Sequence, residues 1–158
     1  MAMKAREIRV CLPHPALPDA DWADCFEMLS ARPGLSAEAV ARQAFERMPK
    51  WVGVLMVLRN LVVRPFGLKG NPAGAATTVA RVGFFPVISK NDAEMVLGFD
   101  DRHLDFRIVV LTEPSGDGET RIRMMTLIRR HNFLGRAYLS VIMPFHKLIV
   151  ASSLSRVG

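Results

Sequence analysis

Between Phe84 and Ile128 the chain places turn residues so that they can be checked against the alternation of its apolar side chains, and this restricts the fold more than any other feature. A two-residue turn at Asn91 and Asp92 sets Ile88 opposite Met95, Pro86 opposite Leu97 and Phe84 opposite Phe99. A second turn at Asp101 and Arg102 sets Phe99 opposite Leu104, Leu97 opposite Phe106 and Met95 opposite Ile108. The longer loop from Pro114 to Gly118 then brings Val110 opposite Ile122, Ile108 opposite Met124, Phe106 opposite Thr126 and Leu104 opposite Ile128. One face of the four strands is left without a charge. Slipping one strand by one residue would put Asp105, Arg107 or Arg123 among Phe and Leu, and an unpaired buried charge costs several kcal/mol, on the order of 3–5. The region therefore reads as an antiparallel meander with an apolar inner face. The opposite face combines His103, Asp105, Arg107, Arg123 and Arg129 with Phe85, Val87, Val96, Met125 and Leu127. That is too apolar for water alone, so a covering partner or a homodimer through this outer face is expected.

An apolar sheet face needs a cover, and the long stretch after the meander supplies one. Phe133 to Leu154 reads as a helix with Leu134, Tyr138, Val141, Phe145, Leu148 and Ser152 on one stripe, Asn132 as its N-cap and Pro144 as a kink. The stretch is apolar enough to suggest a membrane span, but Arg136, His146 and Lys147 lie within it, so the expectation is that it packs on the sheet with Arg136, Lys147 and Arg156 at the rim. Upstream, WADCFEMLS from Trp22 reads as a strand of ambiguous facing. Ser36 caps a helix carrying Ala37, Ala41, Ala44, Phe45 and Met48 on one side. Pro49 separates it from a second helix, about Lys50 to Val63, that is apolar on nearly every side except Arg59 and Asn60 and should be packed on several faces. FGLKGNPAG ends that helix, and residues 1 to 21 read as irregular.

At 158 residues, half of them hydrophobic, the chain suits one domain spanning 1–158. Cys11 and Cys25 have neither a CxxC spacing nor a His-rich neighbour, which points to reduced thiols rather than a disulfide framework or zinc. The first residues lack the apolar core of a secretory signal, so a cytoplasmic location is expected. The net charge of +6 gathers towards the end, where residues 119–158 hold seven basic and one acidic group. No basic run or nucleic-acid motif accompanies it, and a solvated basic surface, or peripheral contact with an anionic membrane, is expected instead of nucleic-acid binding. GNPAG lacks the lysine and spacing of a phosphate loop, no HExxH occurs, and four scattered histidines make no metal signature, so no cofactor or metal is expected.

The strings WVGVLMVLRNLVVRPFGL, GFFPVISK, VLGFDDRHLDFRIVV and HNFLGRAYLSVIMPFHKLIV resemble those of a bacterial family, domain of unknown function 2867, over roughly residues 20 to 155. More remotely, the order of first strand, helix pair, meander and long terminal helix resembles the helix-grip fold of the START and birch-pollen-allergen superfamily, SRPBCC. The first resemblance transfers no catalytic residue. The second implies an α+β fold in which a curved antiparallel sheet wraps a long C-terminal helix, with a cavity between them for a small hydrophobic or amphipathic molecule. Expected lining residues are Phe84, Leu97, Phe106, Met124 and Tyr138, with Arg130 orienting a polar group; Arg59 and His146 are further polar candidates. An enzyme of cyclase, hydratase or isomerase type is the alternative, and it needs at least two ionisable groups converging inside. Asp100, Asp101, Arg102, His103, Asp105 and Arg107 crowd one hairpin, where turn chemistry and cross-strand pairing are sufficient reason for them.

Overall fold

Asn91 decides where the first hairpin turns. In the computed structural model, which describes residues 4–48, 50, 53–54, 57, 61, 64–66 and 80–157, its side-chain Oδ1 accepts hydrogen bonds from the backbone N–H groups of Ala93 and Glu94, at 2.9 and 2.8 Å. Its own N–H donates to the Glu94 carbonyl. The turn is therefore Asp92–Ala93, one residue later than Asn91–Asp92, because the asparagine side chain closes it from the preceding position. Moving a two-residue turn by one position moves the pairing by two, so Lys90 meets Met95 where Ile88 was expected and the faces are kept next to the turn. In β4 (Phe85–Lys90) a bulge at Ile88 then shifts the pairing by one, setting Val87 and not Ile88 opposite Leu97 of β5 (Glu94–Asp100), and this reverses the faces. Phe85 and Val87 consequently face the core, while Ile88 is exposed and Phe84 sits in the exposed turn before β4, the reverse of the expected assignment.

At the other two turns the pairing also moves by two, and because the register then runs on without a bulge the faces survive. Asp101 N–H bonds the Leu104 carbonyl across Arg102–His103. This pairs Phe99 with Phe106, Leu97 with Ile108 and Met95 with Val110 between β5 and β6 (Leu104–Ser115). A short 3-10 turn over Gly116–Gly118 leads into β7 (Glu119–Arg130), setting Phe106 opposite Ile128, Ile108 opposite Thr126 and Val110 opposite Met124. Gly98, at φ 153°, lies where a Cβ would collide with the Phe106 carbonyl oxygen. Only glycine allows the two strands to close there.

Trp22–Ser30 forms β2, as its composition predicts, and pairs with β7 so that Trp22 meets Ile128, Asp24 meets Thr126 and Phe26 meets Met124. At the edges, Arg6–Ile8 forms β1 on β2, within the segment expected to be irregular, and Arg81–Val82 forms β3 on β4. The sheet order is β1-β2-β7-β6-β5-β4-β3, antiparallel throughout. The outer face is covered from within the chain: Leu17 is buried with Val96, Val109 and Leu127, and Ala16, Ala20 and Met125 pack beside them. Next to this cluster, the buried Glu27 carboxylate accepts from Arg6 at 2.7 Å and from Arg123 at 2.9 Å.

The inner face carries two helices. Ser36 Oγ accepts from Ala39 N–H to start α1 (Ala37–Phe45), whose Ala37, Val40, Ala41, Ala44 and Phe45 are buried against the sheet, with Met48 packed beside them. The next helical stretch is described at Lys50, Gly53, Val54, Val57 and Leu61 alone, and Val54, Val57 and Leu61 are exposed, not packed as expected. Pro49, Arg59, Asn60 and GNPAG fall outside the described residues. The terminal helix α2 (Phe133–Leu154) starts at Asn132, whose Oδ1 accepts from Gly135 N–H. It continues through Pro144, whose missing N–H would have faced the Ser140 carbonyl; both residues are exposed. The chain is thus α+β, a seven-stranded curved antiparallel sheet with helices on one face.

Candidate functional site

Which side of α2 meets the sheet determines what can happen between them. Gly135, Leu139, Val150, Ser153 and Leu154 are buried, and Met143 packs with Leu139, Leu104 and Ile128. Val141, Phe145 and Leu148 of the expected inner stripe are exposed, at 70%, 49% and 65%. The helix is apolar around most of its circumference, so hydrophobicity alone does not select a face. Gly135 does: a Cβ there would run into the His103 carbonyl oxygen, and its absence lets the first turn of α2 press onto the β5–β6 turn. Rotating the helix to this face brings His146, at helical spacing from Leu139 and Val150, against the sheet.

There His146 meets Asp24. The imidazole Nε2 lies 3.0 Å from Asp24 Oδ2, and the ring stands edge-on to Trp22 with centroids 5.9 Å apart. Nε2–H is the donor to the carboxylate, which fixes the tautomer when the ring is neutral. The Asp24 side chain is 3% exposed, and its other oxygen, Oδ1, is buried without a hydrogen-bond partner. A buried carboxylate oxygen with an unmet lone pair costs about 1–3 kcal/mol, more when charged. Asp24 shares its face of β2 with Trp22, Phe26 and Met28, and its cross-strand neighbour Thr126 is buried. Such a pair can accept a hydrogen bond, or exchange a proton with a bound molecule.

Beyond β7 the inner face is aromatic. Phe45, Phe85, Phe106 and Phe99 form a chain of rings with successive centroids 5.4, 5.8 and 5.6 Å apart. Phe85, Phe99 and Phe106 are only half-buried although they lie on the core side, and so are Trp22, Tyr138 and Met143.

The residues expected to line a site are spread among several environments. Phe106 is in the ring chain, and both it and Tyr138 pack against the cluster of Leu104, Ile128 and Leu139. Leu97 and Met124 are at 0% and 1% exposure within the core, and Phe84 is in an exposed turn off the inner face. Arg130 keeps the inner parity opposite Leu104, but its guanidinium is paired with Asp21 at the rim, 3.1 Å away. The charged hairpin does not converge: Arg107 bonds Asp100, Asp105 bonds His131, and His103 Nδ1 accepts from the Asn132 amide. Asp24 was missed because its strand carries apolar residues on both faces, which leaves its facing ambiguous. Strand parity alone puts it with Trp22, Phe26 and Met28, and a lone acid at a core position is itself a signal.

Among the described residues no group of three His, Cys, Asp or Glu could hold a metal ion. No curated protein and no solved structure shows a significant match to the chain. One family model does match, over residues 16–153, and on that match the chain belongs to the family described as protein of unknown function, DUF2867.

Proposed function

We propose that this protein binds a small hydrophobic or amphipathic molecule between the inner face of its sheet and α2, in the manner of a helix-grip fold. The observation that carries the reading is the row of Phe85, Phe99 and Phe106, half-buried on the side of the sheet that forms the core. Aromatic surface left partly open there, beside Tyr138 and Met143, is the lining small apolar ligands use, with a few polar groups to orient them. Titration with the neutral dye Nile red tests this. Saturable one-to-one binding is expected, weakened about fivefold or more by Phe106→Ala and unchanged by Phe133→Ala on the far side of α2. Non-saturating uptake, or equal sensitivity to both substitutions, would contradict it.

A second reading, peripheral contact with an anionic membrane, is favoured by the outward side of α2. That side presents Phe133, Val141, Phe145 and Leu148 to solvent with no charge between them, and Arg136 and Lys147 lie along one flank. By length and composition α2 also passes the test for a membrane span, although it rests on the sheet through its other side. Cosedimentation with phosphatidylserine-containing vesicles tests this reading. Binding that falls with salt and is lost in the Phe145→Ser, Leu148→Ser double variant supports it; no binding at low salt removes it.

A further inference from the structure

The polar end of this interface constrains the head group of whatever enters it, an inference that rests on the ligand-binding reading. By strand register the inner face of β2, β7, β6 and β5 presents Trp22, Asp24, Phe26 and Met28; Ile122, Met124, Thr126 and Ile128; Leu104, Phe106, Ile108 and Val110; and Met95, Leu97 and Phe99. Asp24 is the one charged side chain among them, and Arg130, which follows at the end of β7, is held at the rim by Asp21. A cation that could receive a ligand carboxylate is therefore committed elsewhere. The inward-facing charged group is instead an acceptor: Asp24 Oδ2 is satisfied by His146, while Oδ1 is buried with its lone pairs unused.

We propose that Asp24 Oδ1 is the anchor for a hydrogen-bond-donating head, a hydroxyl or an ammonium, carried on an apolar body that lies along the Phe106 side of the interface. His146 is the positioning residue: its Nε2–H holds the other carboxylate oxygen and, with Trp22 against its ring, fixes the plane in which Oδ1 presents its lone pairs. An O–H or N–H donor meets the unmet acceptor. A carboxylate head would bring like charge against Asp24 and leave its own oxygens without donors, which is the stronger source of selectivity.

Displacement of Nile red by decanol, decylamine and decanoate, which share one tail and differ in head, tests the assignment on the unmodified protein. The alcohol and the amine should each displace the dye at a concentration about tenfold or more below that of decanoate, the ratio expected for a buried hydrogen bond to a charged group. The comparison between alcohol and amine distinguishes a neutral from a cationic natural head. In Asp24→Asn, which keeps size but replaces Oδ1 or Oδ2 with a donor, decanoate should gain and the preference should collapse; His146→Gln should narrow it. If Nile red binds while all three heads compete equally in the wild type, the head-group inference is overturned and the binding reading stands. Absence of dye binding removes both. Should Asp24→Asn not fold, the wild-type ranking alone still decides.

Discussion

Cys25 and Glu27 are adjacent in parity on β2, and each shows how burial changes a side chain's chemistry. Desolvation lifts the Cys25 thiol to about 11, against the smaller opposing effect of Arg123, so almost none of it is thiolate at neutral pH. Cys11 is exposed. A disulfide-exchange reagent applied to the native protein near pH 8 should titrate one thiol rapidly and the second only after denaturation; two equally fast thiols would contradict the burial of β2. The Glu27 carboxyl is held below its ordinary range, first by the hydrogen bond from Arg6 and then by that from Arg123. A depressed carboxylate stabilises the fold above its unfolded pKa, and that contribution is lost as pH falls through the lower, folded value. Arg6 is 74% exposed, so most of the effect rests on Arg123. Glu27→Gln should therefore cost about 2 kcal/mol at pH 7, with the gap to wild type narrowing as urea melts are taken from pH 5 to pH 2. A gap independent of pH would mean that the charge is not what matters. At this scale the sequence was partly readable: Ser36 and Asn132 announce their caps by type and position. Asp24 was hidden by the ambiguous facing of its strand, and His146 by a helix with few polar residues to mark its outside.

At the scale of elements, register was legible to within an even shift at two hairpins and failed at the third. Side-chain alternation has period two, so a displacement of two residues leaves Phe99, Leu104 and Phe106 on the same side, whereas the single-residue bulge at Ile88 exchanges Phe84 for Phe85. No apolar pattern distinguishes those neighbours, and the bulge was the deciding detail. For α2 the deciding detail was Gly135. Alanine ordinarily stabilises a helix interior relative to glycine by about 1 kcal/mol, but here its Cβ would meet the His103 carbonyl. Gly135→Ala should therefore destabilise, by about 1–3 kcal/mol, and Asn132→Ala should cost about 1 kcal/mol through the lost cap. Thermal melts of both variants check the pair; a more stable Gly135→Ala protein would place the helix N-terminus away from the β5–β6 turn.

Over the whole molecule, the meander and terminal helix that alternation predicts are present, and the outer face that called for a partner finds part of its cover in Leu17 and its neighbours. What could not be read was the division of labour on α2. Its sheet-facing side is completed by a polar pair, while its outward side remains apolar, because composition averages the two sides of a helix that tertiary packing separates. The ligand and membrane readings use these opposite sides, so substitutions at Phe106 and at Phe145 with Leu148 tell them apart. All of this depends on the rotation of α2 that lays His146 on Asp24. Nuclear Overhauser contacts to the Trp22 indole, in protein labelled at histidine, tryptophan, valine and phenylalanine, test that rotation most directly. Cross-peaks from His146 to the Trp22 indole are predicted, with none from Val141 or Phe145 to Trp22. Contacts from Phe145 to Trp22 in place of those from His146 would contradict it.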